Sequence, residues 1–118
     1  MDFDTLTVVT LLTPENPREL TDAERDALQD RHLAHLADLH AAGILLAAGP
    51  TDGGSRLRPV RGFAILTVEP AKALALMSED AAVTAGVFTL EAVAWMVPSG
   101  ALSFAPTLFP RSMSDVAG

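Results

Sequence analysis

The sequence predicts an α+β fold of the ferredoxin-like kind, β-α-β-β-α-β, in which a four-stranded antiparallel sheet carries its helices on one face. Three observations predict it. Runs rich in β-branched and apolar residues recur at residues 6–13, 44–48, 60–69 and 87–97, each short enough for a strand. Two helical signatures fall between the first and second runs and between the third and fourth: Thr21 with Glu24, and Pro70 ahead of Leu74 and Met77. With 118 residues and 49% hydrophobic content, the chain has apolar material for one core and too little length for two ordinary domains.

In the first strand, Leu6, Val8, Thr10 and Leu12 share one face and Thr7, Val9 and Leu11 the other, because side chains alternate along a strand. Pro14 and Pro17 end it. Thr21 and Glu24 then form a capping box that starts an amphipathic helix running to about residue 42, where Gly43 supplies the stop. Residues 44–48 read as the second strand and 49–55 as a Gly- and Pro-rich turn, so strands two and three form a hairpin-like pair. Pro70 suits the first turn of the second helix, since its missing N–H would have no helical partner there. Ser78, Glu79 and Asp80 break that helix before a shorter piece ending at Gly86, and residues 87–97 form the last strand. Residues 1–98 thus constitute the domain. Residues 99–118 form an irregular tail whose Phe104, Leu108 and Phe109 are too apolar for a free linker; it is expected to pack on the domain or on a dimer partner.

A sheet with helices on one side only should be polar on the other, and this one is not. Phe63 and Ile65 oppose Ala64, Leu66 and Val68 in the third strand; Val93, Trp95 and Val97 oppose Leu90, Ala92, Ala94 and Met96 in the last. A second copy of the chain is the simplest cover for the extra apolar face, which predicts a homodimer with sheets face to face.

The formal charge of −7 works against nucleic acid, whose phosphates bind through clustered Lys and Arg. Lys72 is the only lysine, and Arg56, Arg58 and Arg61 are the one local concentration of positive charge, read as a solvated loop or an anion-steering rim. With no cysteine there is no disulfide framework, thiolate nucleophile or cysteine-based metal site. The acidic N-terminus lacks the basic region of an export signal, and no apolar run approaches a membrane span. The expectation is a cytoplasmic protein. Its preference for Arg over Lys and its abundant alanine are the composition of a high-GC bacterial genome.

His32 is the residue that points to chemistry. At about 100° per residue it shares roughly a quarter of the helix circumference with Leu28, Leu36 and Leu39, so it faces where the leucines face. A buried imidazole without a partner costs about 1–3 kcal/mol; His32 therefore needs an acceptor, a ligand or a cleft. His35 and His40 flank it as rim or surface residues, and a His32–His35 metal pair lacks a third ligand, so no metal or other cofactor is expected. Gly49–Pro50 and Gly53–Gly54 are turn chemistry and do not match a phosphate-binding loop.

Three segments together carry a resemblance: residues 32–39, led by His32 and ending at Asp38-Leu39; residues 43–50, Gly-Ile-Leu-Leu-Ala-Ala-Gly-Pro; and residues 80–88, Asp80 through Ala85-Gly86 to Phe88. In this order and spacing they resemble the YciI-like (YCII-related) family, over residues 6–97. The resemblance implies a dimeric α+β barrel with a His and an Asp side by side in a cleft proposed as the active site. His32 and Asp80 are the matching positions, with His32 as general base and Asp80 as its orienting partner. Family members with an assigned activity work on small ring compounds, including dehydrohalogenation of hydroxylated aromatics. Three positions depart from the family pattern: Ala81 replaces the proline after the aspartate, Gln29 an arginine before the histidine, and Phe63 a serine after Gly62.

The expected function is that of a small cofactor-free lyase or isomerase, removing a proton from a cyclic, aromatic or polyketide-like small molecule. Phe63, Gly49, Pro50 and Trp95 are the candidate substrate contacts. Two alternatives share the fold: a cofactor-independent oxygenase, and a non-catalytic dimer that binds a small ligand or supports a partner enzyme.

Overall fold

A computed structural model describes residues 1–51 and 59–118. Its elements are β1 (Phe3–Leu12), α1 (Asp22–Ala41), β2 (Leu45–Pro50), β3 (Val60–Leu66), α2 (Pro70–Met77), α3 (Ala81–Thr84), β4 (Thr89–Pro98) and α4 (Met113–Ala117). The sheet order is β2-β3-β1-β4, every neighbouring pair antiparallel, which is the ferredoxin-like arrangement. The tip of the β2–β3 turn, with Gly53, Gly54, Arg56 and Arg58, lies outside the described residues.

Local chemistry accounts for the boundaries of α1. The Thr21 hydroxyl accepts from the Glu24 N–H while the Glu24 carboxylate accepts from the Thr21 N–H, closing the capping box. At the other end Gly43 adopts φ +77°, which a residue without Cβ reaches without strain. The Gly43 N–H then reaches the His40 carbonyl and the Ile44 N–H that of Leu39, the paired bonds of a Schellman stop. The chain leaves α1 directly into β2.

Alternation along the strands divides the sheet into two faces. Thr7, Val9 and Leu11 of β1 with Gly62, Ala64 and Leu66 of β3 are buried under the helices. Leu36 and Leu39 of α1 and Ala73 and Met77 of α2 complete that core. Leu45, Leu66, Met77 and Val9 are almost wholly buried, each contributing about 1.5–3 kcal/mol through removal of apolar surface from water. Thr7 is the polar exception in this layer, and its hydroxyl donates to the Val68 carbonyl at 2.5 Å. On the other face Leu6 pairs with Trp95 and Val8 with Val93 and Ile65. Among the described residues much of this face is open: Phe63, Val93 and Trp95 are 48%, 58% and 40% exposed, while Val97 at its end is buried.

Gly62 sets how closely β2 can approach β3. A Cβ there would stand 2.8 Å from the Gly49 carbonyl oxygen and 3.4 Å from the Pro50 Cα, contacts with backbone that no side-chain rotation relieves. Gly62→Ala is therefore expected to push β2 outward and to cost about 1–3 kcal/mol, read as a lower urea midpoint. An unchanged midpoint would mean that the strand pair yields without loss.

The tail differs from a wholly irregular segment. After the turn at Gly100, residues 101–108 are exposed, and the chain then ends in α4, whose N-cap Ser112 accepts from the Asp115 N–H. Among the described residues no helix is long and apolar enough to cross a membrane.

Candidate active site

His32 lies near the middle of α1, on the same buried face as Leu36 and Leu39. The residue that meets it comes from 48 positions further along the chain: the Nδ1 of His32 lies 2.5 Å from Oδ2 of Asp80. Asp80 is fully buried and is the N-cap of α3, its Oδ1 accepting the Ala82 N–H at 2.8 Å. Both carboxylate oxygens are thus committed, one to a backbone donor and one to the imidazole. The cap forms with Ala81 in the first helical position, so a backbone hydrogen bond, without a proline ring, holds the carboxylate in place.

This geometry assigns the ring's proton. A carboxylate only accepts, so Nδ1 carries the N–H and donates it; in the neutral ring the lone pair is then on Nε2. Among the described residues Nε2 makes no hydrogen bond, while His32 lines a cavity of about 380 Å³. An oriented imidazole with a free lone pair at a cavity wall is equipped to take a proton from a bound molecule. The volume lies in the range of small-molecule sites.

The cavity is bounded by α1, the β2–β3 edge, Phe88 and the C-terminal tail. Gly49 and Pro50 line it. Phe63 borders it too, yet alternation places its side chain with Ile65 on the open sheet face, opposite buried Gly62 and Ala64. Trp95 is not among the lining residues; it pairs with Leu6 on the open face of β4, the far edge of the sheet from β2.

Two further side chains stand beside the His–Asp pair. The Phe88 ring sits 5.7 Å from the imidazole, centroid to centroid, tilted by 52°. The guanidinium carbon of Arg61 lies 5.1 Å from the same ring's centroid, within reach of a cation–π contact. Arg61 therefore belongs to the cavity wall, as does Gln29. A signal for Arg61 existed, since a charge two residues before Phe63 on an apolar strand is unusual, but its direction follows only from the register of β3.

His35 and His40 are half-buried structural residues, more constrained than rim positions. His35 Nε2 lies 2.9 Å from the Leu76 carbonyl and His40 Nδ1 2.7 Å from that of Leu45. Both carbonyl oxygens are acceptors, so these rings tie α1 to α2 and to β2. No group of three or more His, Cys, Asp or Glu side chains positioned for a metal occurs among the described residues.

Fold and site together define a ferredoxin-like α+β protein with a buried His–carboxylate pair opening on a small-molecule cavity. The YCII-related domain model matches residues 7–96, and the chain belongs to that family. No curated protein matches the sequence. Among solved structures, similarity is found to 5-chloro-2-hydroxyhydroquinone dehydrochlorinase (TftG) from Burkholderia phenoliruptrix AC1100, in complex with 2,5-dihydroxybenzoquinone. The identity is 21% and the TM-score 0.48, covering 80% of this chain and 95% of that one.

Proposed function

We propose that the protein is a cofactor-free enzyme of the lyase or isomerase type that removes a proton from a small cyclic or aromatic substrate. The observation that carries this reading is the donation of His32 Nδ1–H to buried Asp80, with Nε2 making no hydrogen bond among the described residues and His32 lining the cavity. Nε2 takes a proton from a carbon or hydroxyl made acidic by a neighbouring carbonyl or enol. The electron pair released then expels a leaving group, giving elimination, or is reprotonated elsewhere on the ring, giving isomerisation. Asp80 stabilises the imidazolium that forms, as a fixed countercharge needing no reorganisation. The apolar walls suit a flat ring, and Arg61 suits an enolate or phenolate oxygen on it.

The test is proton NMR in D2O with cyclic 1,3-diketones and halogenated hydroxyaromatics. Halide loss, or deuterium uptake faster than in a protein-free control, is expected with wild-type protein and not with His32→Asn. Binding that shifts the His32 resonances without any turnover would exclude catalysis on these compounds and favour a ligand-binding protein.

The working unit in this reading is a homodimer. The open face presents Val8, Ile65, Phe63, Val93 and Trp95, contributed by three adjacent strands. Such a patch is self-complementary under a two-fold axis, as two stacked sheets require. Val93→Asp puts a charge within it, beside Val8. Light scattering at micromolar concentration is expected to give a dimer for wild type and a monomer for Val93→Asp; a monomeric wild type excludes this assembly.

A further inference from the structure

Residues 107–117 run along α1 and are tied to it at several points. The Thr107 carbonyl lies 3.2 Å from His40 Nε2, and the Phe109 ring stacks on the His40 imidazole at 3.9 Å with an interplanar angle of 11°. Arg111 pairs with Asp38 at 2.6 Å, and the Met113 N–H donates to Asp30 at 2.8 Å. These anchors extend from His40 back to Asp30, about 15 Å of helix at 1.5 Å per residue. The segment is also braced internally, because the Asp115 carboxylate accepts the Arg111 N–H at 2.9 Å while Ser112 caps α4.

The consequence of this path is chemical. Phe109, Pro110, Met113 and Val116 form part of the lining of the cavity that His32 opens into, together with the β2–β3 edge. All four lie beyond residues 7–96, the part of the chain that matches the family model. We propose that the C-terminal segment is the specificity wall of this site, with Phe109 and Met113 setting the size of ring system admitted to His32. The inference rests on the proposed function only in taking the His32 cavity as the substrate site.

The anchors explain why such a wall can also yield. Arg111 and Asp38 are more than half exposed, and an exposed ion pair is individually weak. The wall is held by this one ion pair, the exposed Met113–Asp30 hydrogen bond and the Phe109–His40 stack, with no share in the buried core beyond the partial burial of Phe109. Substitutions in it should therefore alter the cavity while leaving the fold intact.

The experiment compares dissociation constants for catechol, 2,3-dihydroxynaphthalene and alizarin, a one-, two- and three-ring series, in full-length wild type, Phe109→Ala and Met113→Ala. Calorimetry gives the constants, and the His32 ring resonances report whether each compound occupies this cavity. Wild type is expected to discriminate against alizarin, and each variant to improve alizarin binding relative to catechol by about tenfold or more, the scale on which a hydrophobic pocket distinguishes sizes. If the compounds shift His32 but the alizarin-to-catechol ratio is the same in all three proteins, the wall proposal is overturned and the proposed function stands. If none of the three shifts His32 in any protein, the cavity is not a ring-compound site, and both fall.

Discussion

Asp80→Ala is expected to lower folding stability by about 2–4 kcal/mol, because one side chain serves two buried partners. It removes the acceptor of His32 Nδ1–H, leaving a buried imidazole unsatisfied at about 1–3 kcal/mol. It also removes the N-cap of α3, typically about 1 kcal/mol. For a chain of this length the melting temperature should fall by roughly 10 °C. Asp80→Asn is the informative control: asparagine caps a helix nearly as well, so most of the α3 term should return, while the charge facing the imidazole does not. Urea denaturation of both variants reads the two terms separately. A loss below 0.5 kcal/mol for Asp80→Ala, on the order of an ordinary surface substitution, would mean that the pair does not bear on folding.

His32→Asn should produce the largest functional effect, a fall of about 10²–10⁴ in the rate of proton transfer, the usual contribution of a positioned general base. The choice of asparagine matters. Its amide nitrogen occupies nearly the position of imidazole Nδ1, so it can still donate to Asp80 Oδ2, whereas nothing replaces Nε2. Alanine would instead leave a buried carboxylate oxygen without its donor, and lost activity would then be confounded with lost stability. The expected pattern is a melting temperature near that of wild type with deuterium exchange abolished. Full exchange activity in His32→Asn would remove His32 from the chemistry and with it the proposed mechanism.

The fold was legible because its signals are local. The Thr21 and Glu24 capping box, Gly43 at the helix stop and Pro70 at the start of α2 act within a turn of chain, and each sits in the structure at the place the sequence indicates. Strand ends were less legible: β1 begins at Phe3 and β3 ends at Leu66, since the length of a strand depends on how far its neighbours pair with it. Helix α4 was missed because five residues with a serine cap carry little intrinsic preference; contacts with α1 hold it.

The candidate site divides in the same way. That His32 faces the core is a matter of helical period, and its partnership with Asp80 was reached through resemblance to a family. Arg61 stood out only as a loop charge or anion-steering rim, and the place of Phe109 and Met113 at this cavity was out of reach, because these residues come from segments that share no periodic pattern with α1. Trp95 shows the converse: its chemistry suited a pocket, but strand order puts it at the far edge of the sheet from β2. By itself, then, the sequence determined the order of elements, the two apolar sheet faces and the buried direction of His32, all consequences of backbone periodicity and local capping. Only the tertiary structure decided which carboxylate oxygen meets the imidazole, which nitrogen stays open and which distant residues close the cavity. Those depend on register and on the packing of segments tens of residues apart, which no local preference encodes.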